Sequence, residues 1–174
     1  MKKLNLGAGK INVMKGYVNL DVNNYPGIDV LWDLNKTPLP FKDEEFNEIL
    51  AYNILEHVNY VPLMDELYRI LKPGGKIKVS VPHFTSMESY SDPTHINFFS
   101  YLTMSYFVKG GIRSYPFMKF FKWNAKIIFQ KRIIFPWNYI LEWFVNLNLN
   151  TIKLYEKTPL RIFSAMDIEG ELIK

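Results

Sequence analysis

The sequence predicts an α/β fold on a mostly parallel sheet, and three observations lead to that prediction. Short apolar, strand-like runs recur through the first half of the chain. An amphipathic helical stretch at residues 59–75 lies between two of these runs. Strand, helix and strand in that order form a right-handed crossover between parallel neighbours. With 174 residues, of which 48% are apolar, the chain is long enough to bury a core as one domain, residues 1–174.

Five strands are predicted before residue 83, each as a short run rich in apolar residues. The helix before the last of them carries Leu63, Leu67 and Leu71 at a spacing of four, which places them in one stripe facing the sheet. Pro62 suits the first turn of this helix, and the Pro-Gly-Gly at residues 73–75 ends it. The predicted strands are Lys3–Leu6, Tyr17–Val22, Asp29–Asp33, Phe46–Tyr52 and Lys76–Pro82.

Two connections between these strands are shorter than parallel neighbours normally need. Residues 9–17 leave room for about one helical turn, and residues 23–29 leave room for no helix. Either helices on one face are shortened or one of the strands is wrong, and we favour shortened helices.

The second half of the chain is predicted to add helices and an antiparallel edge to the sheet. We expect a helix at residues 98–111, ended by two glycines, and a strand at residues 124–135. A second helix at 137–147 and a final strand at 160–174 follow, and the two strands pair as a hairpin at one edge. The complete prediction is a Rossmann-like, mostly parallel sheet with an antiparallel C-terminal edge and some shortened helices.

Composition excludes several classes of chemistry. The chain has no cysteine, which excludes disulfides, thiolate zinc sites and a cysteine nucleophile. The net charge of +4 is too small to predict a nucleic-acid partner. No apolar run follows the first three residues, so we expect no signal peptide and a cytoplasmic location. The apolar stretch at 132–149 is interrupted by Pro136, Asn138 and Glu142 and does not predict a membrane span.

The chemistry of a binding site begins in the segment "LGAGK", where a glycine-bearing turn ends the first strand. Ligands of open α/β sheets bind beyond the carboxyl ends of the strands. Asp21 ends the next strand beside this turn, and a carboxylate there can accept hydrogen bonds from both hydroxyls of a ribose. A dinucleotide site needs a third glycine, but Asn12 occupies that position and the helix that would hold a pyrophosphate is missing. Gly7, Gly9 and Asp21 therefore favour an adenosine-type ligand without phosphates, with an ordinary turn as the alternative.

Five segments occur in an order and spacing that resemble the class I S-adenosylmethionine-dependent methyltransferases, in particular the small type-11-like methyltransferase domains. They are "LNLGAGK", "YVNLDV", "DLNKTPLPFKDEEFNEIL", "LEH" and "LYRILKPGGKIKVSVP", and the resemblance covers about residues 3–100. It implies S-adenosyl-L-methionine as the cofactor, with the glycine turn near its methionine part and Asp21 at the ribose. The next strands supply residues beside the adenine and the sulfonium. The cofactor-binding positions are Asn5, Gly7, Ala8, Gly9, Asp21, Val22, Asp33, Leu34 and Asn53.

Two positions depart from the family pattern. Asn5 stands where an acidic residue is usual, and Ile11 stands where a third glycine is frequent. The Asn5 amide oxygen can accept a hydrogen bond from an ammonium group but lacks the negative charge. Either Asp21 or Glu56 is a candidate to compensate.

The three histidines are candidate catalytic bases, because methyl transfer to a hydroxyl needs a group that takes its proton. His95 is the first choice, since Asp92 precedes it by three residues and "DPTH" followed by "FF" recurs in the methyltransferases that this chain resembles. His57 and His83 follow the fourth and fifth strands, and a packing or solvated histidine is the alternative for each. A metal site from His83, His95 and Asp92 has no ligand-spacing motif, so no metal is predicted.

An aromatic and basic stretch at residues 115–144 differs from the rest of the chain. It suits a cap over the methyl acceptor, docking on an anionic membrane surface, or stacking on single-stranded nucleic acid. Ordinary core residues of an edge strand and a helix are the favoured explanation.

The sequence therefore predicts methyl transfer from S-adenosylmethionine, most simply to a hydroxyl of a small molecule or saccharide. Residues 1–96 form the cofactor half and residues 97–174 the acceptor side. The main alternative is a catalytically weak binding module that docks on a membrane surface, a nucleic acid or a protein partner. Aminopropyl transfer is a more distant third, and the oligomeric state is not predicted.

Overall fold

The computed structural model describes residues 1–108, 122–129 and 137–174. Seven strands and five α-helices lie in these residues. The strands are β1 (Lys3–Leu6), β2 (Val18–Asp21), β3 (Val30–Leu31), β4 (Phe46–Tyr52), β5 (Leu71–Pro82), β6 (Lys122–Phe129) and β7 (Ala165–Ile173). The helices are α1 (Tyr60–Ile70), α2 (Glu88–Ser91), α3 (Tyr101–Met104), α4 (Trp137–Val145) and α5 (Leu149–Lys157).

The described strands form one sheet in the order β3-β2-β1-β4-β5-β7-β6. The neighbours from β3 to β5 are parallel, and β7 pairs antiparallel with both β5 and β6. The predicted α/β fold, with a Rossmann-like sheet and an antiparallel C-terminal edge, is confirmed. The last two strands pair as predicted, although α4 and α5 separate them in sequence, so they are not a tight hairpin.

The predicted strands of the first half are all present and differ from the prediction only in length. β1 and β4 have the predicted bounds, whereas β2 and β3 are shorter at both ends. β5 begins at Leu71 and not at Lys76, because Leu71 pairs with Phe46 before the register shifts. Leu71 is buried as predicted, but it starts a strand and does not continue the helix.

Helix α1 packs on the apolar face of the sheet. Its residues Leu63, Met64, Leu67 and Ile70 are buried in the main core, together with alternate residues of the central strands. The residues between them point to the opposite face, as the two-residue period of a strand requires. That face carries polar and charged side chains, among them Lys3, Asn5, Asn19, Glu48, Lys76 and Lys78.

The predicted shortening of helices is confirmed on the connections that follow β1 and β2. Residues 7–17 and 22–29 contain no helix, although the strands that they join are parallel neighbours. Two buried asparagines hold the first connection. Asn5 Nδ2 donates to the Asn12 carbonyl at 2.8 Å and to Asn19 Oδ1 at 3.0 Å, and Asn19 Oδ1 also accepts from the backbone of Met14. These bonds supply partners for loop backbone that a helix would otherwise satisfy internally.

The second half departs further from the prediction. The helix expected at 98–111 is only α3 followed by a 3-10 turn at Ser105–Phe107, because Phe99 forms a parallel bridge with His83. Its two terminal glycines, and parts of the strand predicted at 124–135, lie outside the described residues. The final strand begins at Ala165 because Pro159–Ile162 form a 3-10 helix, and α5 was not predicted.

The aromatic and basic stretch at 115–144 falls partly outside the described residues, and β6 and most of α4 are the parts of it that the structure describes. Among the helices of the described residues, none combines the length and the apolar character that crossing a membrane requires.

Candidate active site

The glycine turn after β1 has the backbone conformation that favours glycine. Gly7 and Gly9 have φ angles of +58° and +57°. Side chains rarely adopt these angles, and at Gly7 a Cβ atom would lie 2.5 Å from Cδ1 of Ile54. Gly9 has no such neighbour, and the nearest atom to its Cβ would be the Gly7 carbonyl oxygen at 3.9 Å. Glycine is therefore favoured at position 7 by both the backbone conformation and the lack of space for a side chain, and at position 9 by the backbone conformation alone.

Asp21, at the end of β2, contacts this turn directly. Its Oδ2 accepts a hydrogen bond from the Gly9 N–H at 2.8 Å, and its Oδ1 accepts one from the Asn23 N–H at 2.8 Å. The side chain is buried, with 7% of the residue exposed. Each oxygen keeps a second lone pair for a ligand hydroxyl. The carboxylate and the glycine turn border one another, and the contact of Asp21 with a ribose stays a prediction.

A cavity of about 650 Å³ opens beside the turn, a volume suited to a small organic ligand. Its floor is the polar face of the sheet, where the shortened connection leaves the strands uncovered. Three of the predicted cofactor residues line it, namely Asn5, Gly7 and Asn53. Asn53 follows β4 with a φ angle of +49°, a left-handed conformation that asparagine tolerates better than most residues.

The other predicted cofactor residues do not line this cavity. Ala8 and Leu34 are buried in the protein, and their contact with a cofactor stays a prediction. Val22 is exposed beside Asp21. Asp33 is half-buried, and its Oδ1 accepts a hydrogen bond from the Asn35 N–H at 2.9 Å, so the carboxylate holds its own turn.

The structure brings two of the three candidate histidines together. The ring centroids of His57 and His95 are 4.6 Å apart, in an edge-to-face arrangement. His83 lies elsewhere and is fully buried, with its Nε2 3.2 Å from Glu156 Oε1 and its Nδ1 2.8 Å from Thr85 Oγ1. These contacts give His83 a structural setting that links the end of β5 to α5.

The expected orientation of His95 by Asp92 differs from the observed contacts. His95 Nε2 is 3.9 Å from Asp92 Oδ2, which is too long for a hydrogen bond, and His95 Nδ1 instead lies 3.2 Å from the Ser89 carbonyl oxygen. Asp92 is instead linked to the His57 ring through Thr94. Its Oδ1 accepts from the Thr94 hydroxyl at 2.6 Å, and Thr94 Oγ1 lies 2.9 Å from His57 Nδ1. The sequence analysis missed Thr94, although it lies between Asp92 and His95 in the same motif.

A buried carboxyl group lies beside the two rings. Glu56 is 1% exposed, and its Oε2 has no hydrogen-bond partner among the described residues. Burial raises the pKa of Glu56 to about 7. Burial likewise raises the pKa of Asp167, on β7, to about 6. The Glu56 carbonyl accepts from the backbone of Ile96 and Asn97, which ties the loop that carries His95 to the end of β4.

Residues 12–79 match the family model described as a methyltransferase domain. An uncharacterized protein of Methanocaldococcus jannaschii is 49% identical over 49 residues, which are 28% of this chain. That match spans only 22% of the relative's own length.

Two solved structures are similar over almost the whole chain. A SAM-dependent methyltransferase from Archaeoglobus fulgidus superposes with a TM-score of 0.66 at 15% identity, covering 99% of this chain and 86% of that one. The 1,6-didemethyltoxoflavin-N1-methyltransferase of Burkholderia thailandensis, solved with 1,6-didemethyltoxoflavin and S-adenosylhomocysteine, has a TM-score of 0.55 at 12% identity, covering 99% and 70%. At sequence identities this low, the similarity shows a shared fold and nothing further about this chain.

Proposed function

We propose that this chain, which carries a class I methyltransferase domain, transfers a methyl group from S-adenosylmethionine to a small molecule or saccharide. The observation that carries the proposal is the contact between Asp21 and the Gly9 N–H, in a glycine turn of which Gly7 lines an open cavity and Asp21 and Gly9 do not. A carboxylate next to a glycine turn at the carboxyl edge of parallel strands suits the ribose of a nucleoside.

The predicted cofactor residues have distinct roles in this proposal. Gly7 lines the cavity with its backbone, which a ligand could approach there, while the absence of its Cβ makes room for Ile54. Asp21 accepts hydrogen bonds from the ribose hydroxyls, while Val22 and Asp33 border the adenine. Asn53 lies at the end of β4, where the sulfonium would be held. Ala8 and Leu34 act through packing.

S-adenosylmethionine supplies a methyl group on a cationic sulfur. A hydroxyl acceptor would lose its proton as its oxygen bonds to that methyl carbon, while the carbon–sulfur bond breaks and leaves the neutral thioether S-adenosylhomocysteine, and His95 is the first candidate for the base that takes the proton. Its Nδ1 faces a carbonyl oxygen, so in the neutral ring Nδ1 carries the proton and Nε2 has the free lone pair. His57 is the second candidate. The acceptor side is assigned to residues 97–174.

Calorimetric titration with S-adenosylmethionine and S-adenosylhomocysteine tests the proposal. We expect binding of both, and an Asp21→Asn variant that binds each at least about tenfold more weakly. Asp65→Asn, which changes an exposed aspartate on α1, is the matched control and should bind like the wild type. Circular dichroism checks that both variants are folded. Absence of binding of either ligand at millimolar concentration would refute the proposal.

The choice of a hydroxyl acceptor has its own test. A neutral amine needs little help from a base, and the Burkholderia thailandensis neighbour is an N1-methyltransferase. If the acceptor is a hydroxyl and His95 is the base, His95→Ala should lower turnover by more than about tenfold, or roughly 1.4 kcal/mol of barrier. A smaller loss with an identified acceptor would favour nitrogen.

A binding module with weak or no catalysis is the second candidate, and Asn5 is the observation that favours it. Its Nδ2 donates to the Asn12 carbonyl in the connection after β1 and to Asn19 Oδ1 on β2, and no carboxylate stands at this position. Such a module would dock on a membrane surface, a nucleic acid or a protein, and it would give no heat with either nucleoside in the titration above. The cytoplasmic location stays a prediction.

A further inference from the structure

Three groups that commonly bind metals converge beyond the end of β4. One ligand atom from each of Glu56, His57 and His95 lies within 4.8 Å of the other two. No hydrogen bond joins these three side chains to one another in the described part of the chain. Their polar atoms lie close together but form no hydrogen bonds with one another, whereas buried polar groups usually have a hydrogen-bond partner.

The hydrogen bonds around His57 identify which ring nitrogen is free. The Thr94 hydroxyl has one proton, and it donates that proton to Asp92 Oδ1 at 2.6 Å. Thr94 Oγ1 can therefore only accept from His57 Nδ1, at 2.9 Å. In the neutral ring this leaves the proton on Nδ1 and the lone pair on Nε2.

His95 reaches the same state by a different contact. Its Nδ1 faces the Ser89 carbonyl oxygen at 3.2 Å, and a carbonyl oxygen can only accept. Both rings thus have a proton on Nδ1 and a lone pair on Nε2. Histidines that bind metals typically donate their second ring N–H to a carbonyl, a carboxylate or another polar group, which orients the ring.

The third group, Glu56, supplies an independent observation that points to a ligand. Its residue is 1% exposed, and the buried Oε2 atom has no partner among the described residues. An unpaired buried carboxylate oxygen is costly unless it binds a cation or another donor. Asp92 and Asp167 add negative potential at Glu56, which favours a cation over an anion.

From this geometry we propose that Glu56, His57 and His95 form a binding site for one first-row divalent cation. Two imidazoles and one carboxylate form a donor set of the kind that holds Zn²⁺ with an open fourth position. Bonds of about 2.0–2.2 Å would draw the ligand atoms to roughly 3.4 Å from one another, so the two half-buried rings would have to rotate toward Glu56. Thr94 and Ser89 are positioning residues that hold the rings.

The site goes beyond the proposed methyl transfer and does not depend on it. It differs from the set considered in the sequence, since Glu56 and His57 replace His83 and Asp92. At any moment His95 is either a metal ligand or a free base, because both roles use the Nε2 lone pair.

Titration of the chelator-treated protein with Zn²⁺ tests the site, with Co²⁺ absorption as a second readout. We expect one Zn²⁺ per chain and visible ligand-field bands from Co²⁺. Glu56→Gln, His57→Gln and His95→Gln should each weaken Zn²⁺ binding at least about tenfold, and Thr94→Val should weaken it about tenfold through ring orientation. Glu88→Gln, which changes an exposed carboxylate on α2, is the matched control and should bind like the wild type.

Two results would overturn the metal site. One is a wild-type protein that takes up no Zn²⁺. The other is a set of folded Glu56 and His95 variants that bind Zn²⁺ as tightly as the control. Nucleoside titration in the presence of the chelator remains separate, so loss of the metal site and loss of the proposed function are distinguishable.

Discussion

The two faces of the central strands differ in how they are stabilised. On one face, Leu4, Ile49 and Ile77 are fully buried beneath α1. On the other face, their immediate neighbours Lys3, Glu48 and Lys78 form ion pairs. Among the described residues, the connections after β1 and β2 place no helix on this second face, and its side chains are largely polar. A polar sheet face is compatible with water and does not need a helical layer over it.

Glu48 is the centre of the polar face. It accepts a hydrogen bond from the Tyr17 hydroxyl and pairs with Lys78 at 3.1 Å and with Lys3 at 3.5 Å. The Tyr17 hydrogen bond, followed by the Lys78 contact, lowers the pKa of Glu48 to about 2 despite its burial. This face therefore depends on charge, whereas the opposite face depends on apolar burial.

The largest expected effect comes from the apolar face. Ile77→Ala should lower the free energy of unfolding by about 2–5 kcal/mol, because it leaves a cavity beneath α1. Urea denaturation measures this change. A loss below about 1 kcal/mol would contradict the assignment of this face as the core.

The polar face should respond to pH. Because the folded pKa of Glu48 is lowered from an ordinary value of 4.5, its stabilisation is fully present above that pH and is lost as the pH falls through about 2. Glu48→Gln should therefore lower the free energy of unfolding at neutral pH by at most about 3 kcal/mol, and the difference from wild type should shrink in acid. Urea denaturation across the acid range measures it. Glu169→Gln, an exposed glutamate on the same face of β7, is the control. A difference that persists unchanged at pH 2 would contradict this explanation.

The glycine turn lies between an apolar and a polar environment. Gly7 lies against the apolar side chain of Ile54, and the Gly9 N–H donates to the Asp21 carboxylate. Alanine at either position costs about 1–2 kcal/mol for the left-handed backbone. Gly7→Ala should cost about 1–3 kcal/mol more, because its Cβ overlaps Ile54. Thermal denaturation of both variants measures the two losses of stability. Equal losses would show that the Ile54 side chain moves aside without a measurable loss of stability.

The smallest effect is expected from single lysines of the polar face. Lys78→Ala should lower the free energy of unfolding by less than about 1 kcal/mol, because its exposed end pairs in contact with water. A double-mutant cycle with Glu48→Gln measures the coupling of the pair. A loss as large as that of Ile77→Ala would remove the contrast between the faces.

Sequence reasoning reached the sheet and the glycine turn because both depend on local pattern. Alternation of apolar and polar residues predicts a strand, and the order of strands and helices predicts a parallel pair. The contact between Asp21 and the glycine turn follows, because both lie at the carboxyl edge of neighbouring strands. The resemblance to the methyltransferases named Ala8 and Leu34 as cofactor residues but did not predict that they are buried. Their burial depends on packing against residues distant in sequence.

The pairing of His57 with His95 could not be predicted in the same way. The whole of α1 and β5 separates them in sequence, and their contact depends on the path of the loop after β5. Burial of His83 beside Glu156 likewise depends on α5, a helix absent from the prediction.

By itself, the order of residues determined which face of each strand is apolar, where a turn requires glycine, and that no thiol chemistry is available. Those properties belong to single residues and their near neighbours, so they need no knowledge of the rest of the chain. Only the tertiary structure decided that Glu56, His57 and His95 meet and that the buried Glu56 Oε2 atom has no partner in the described part of the chain. Proximity and desolvation arise between segments far apart in sequence, and they exist only once the chain has packed.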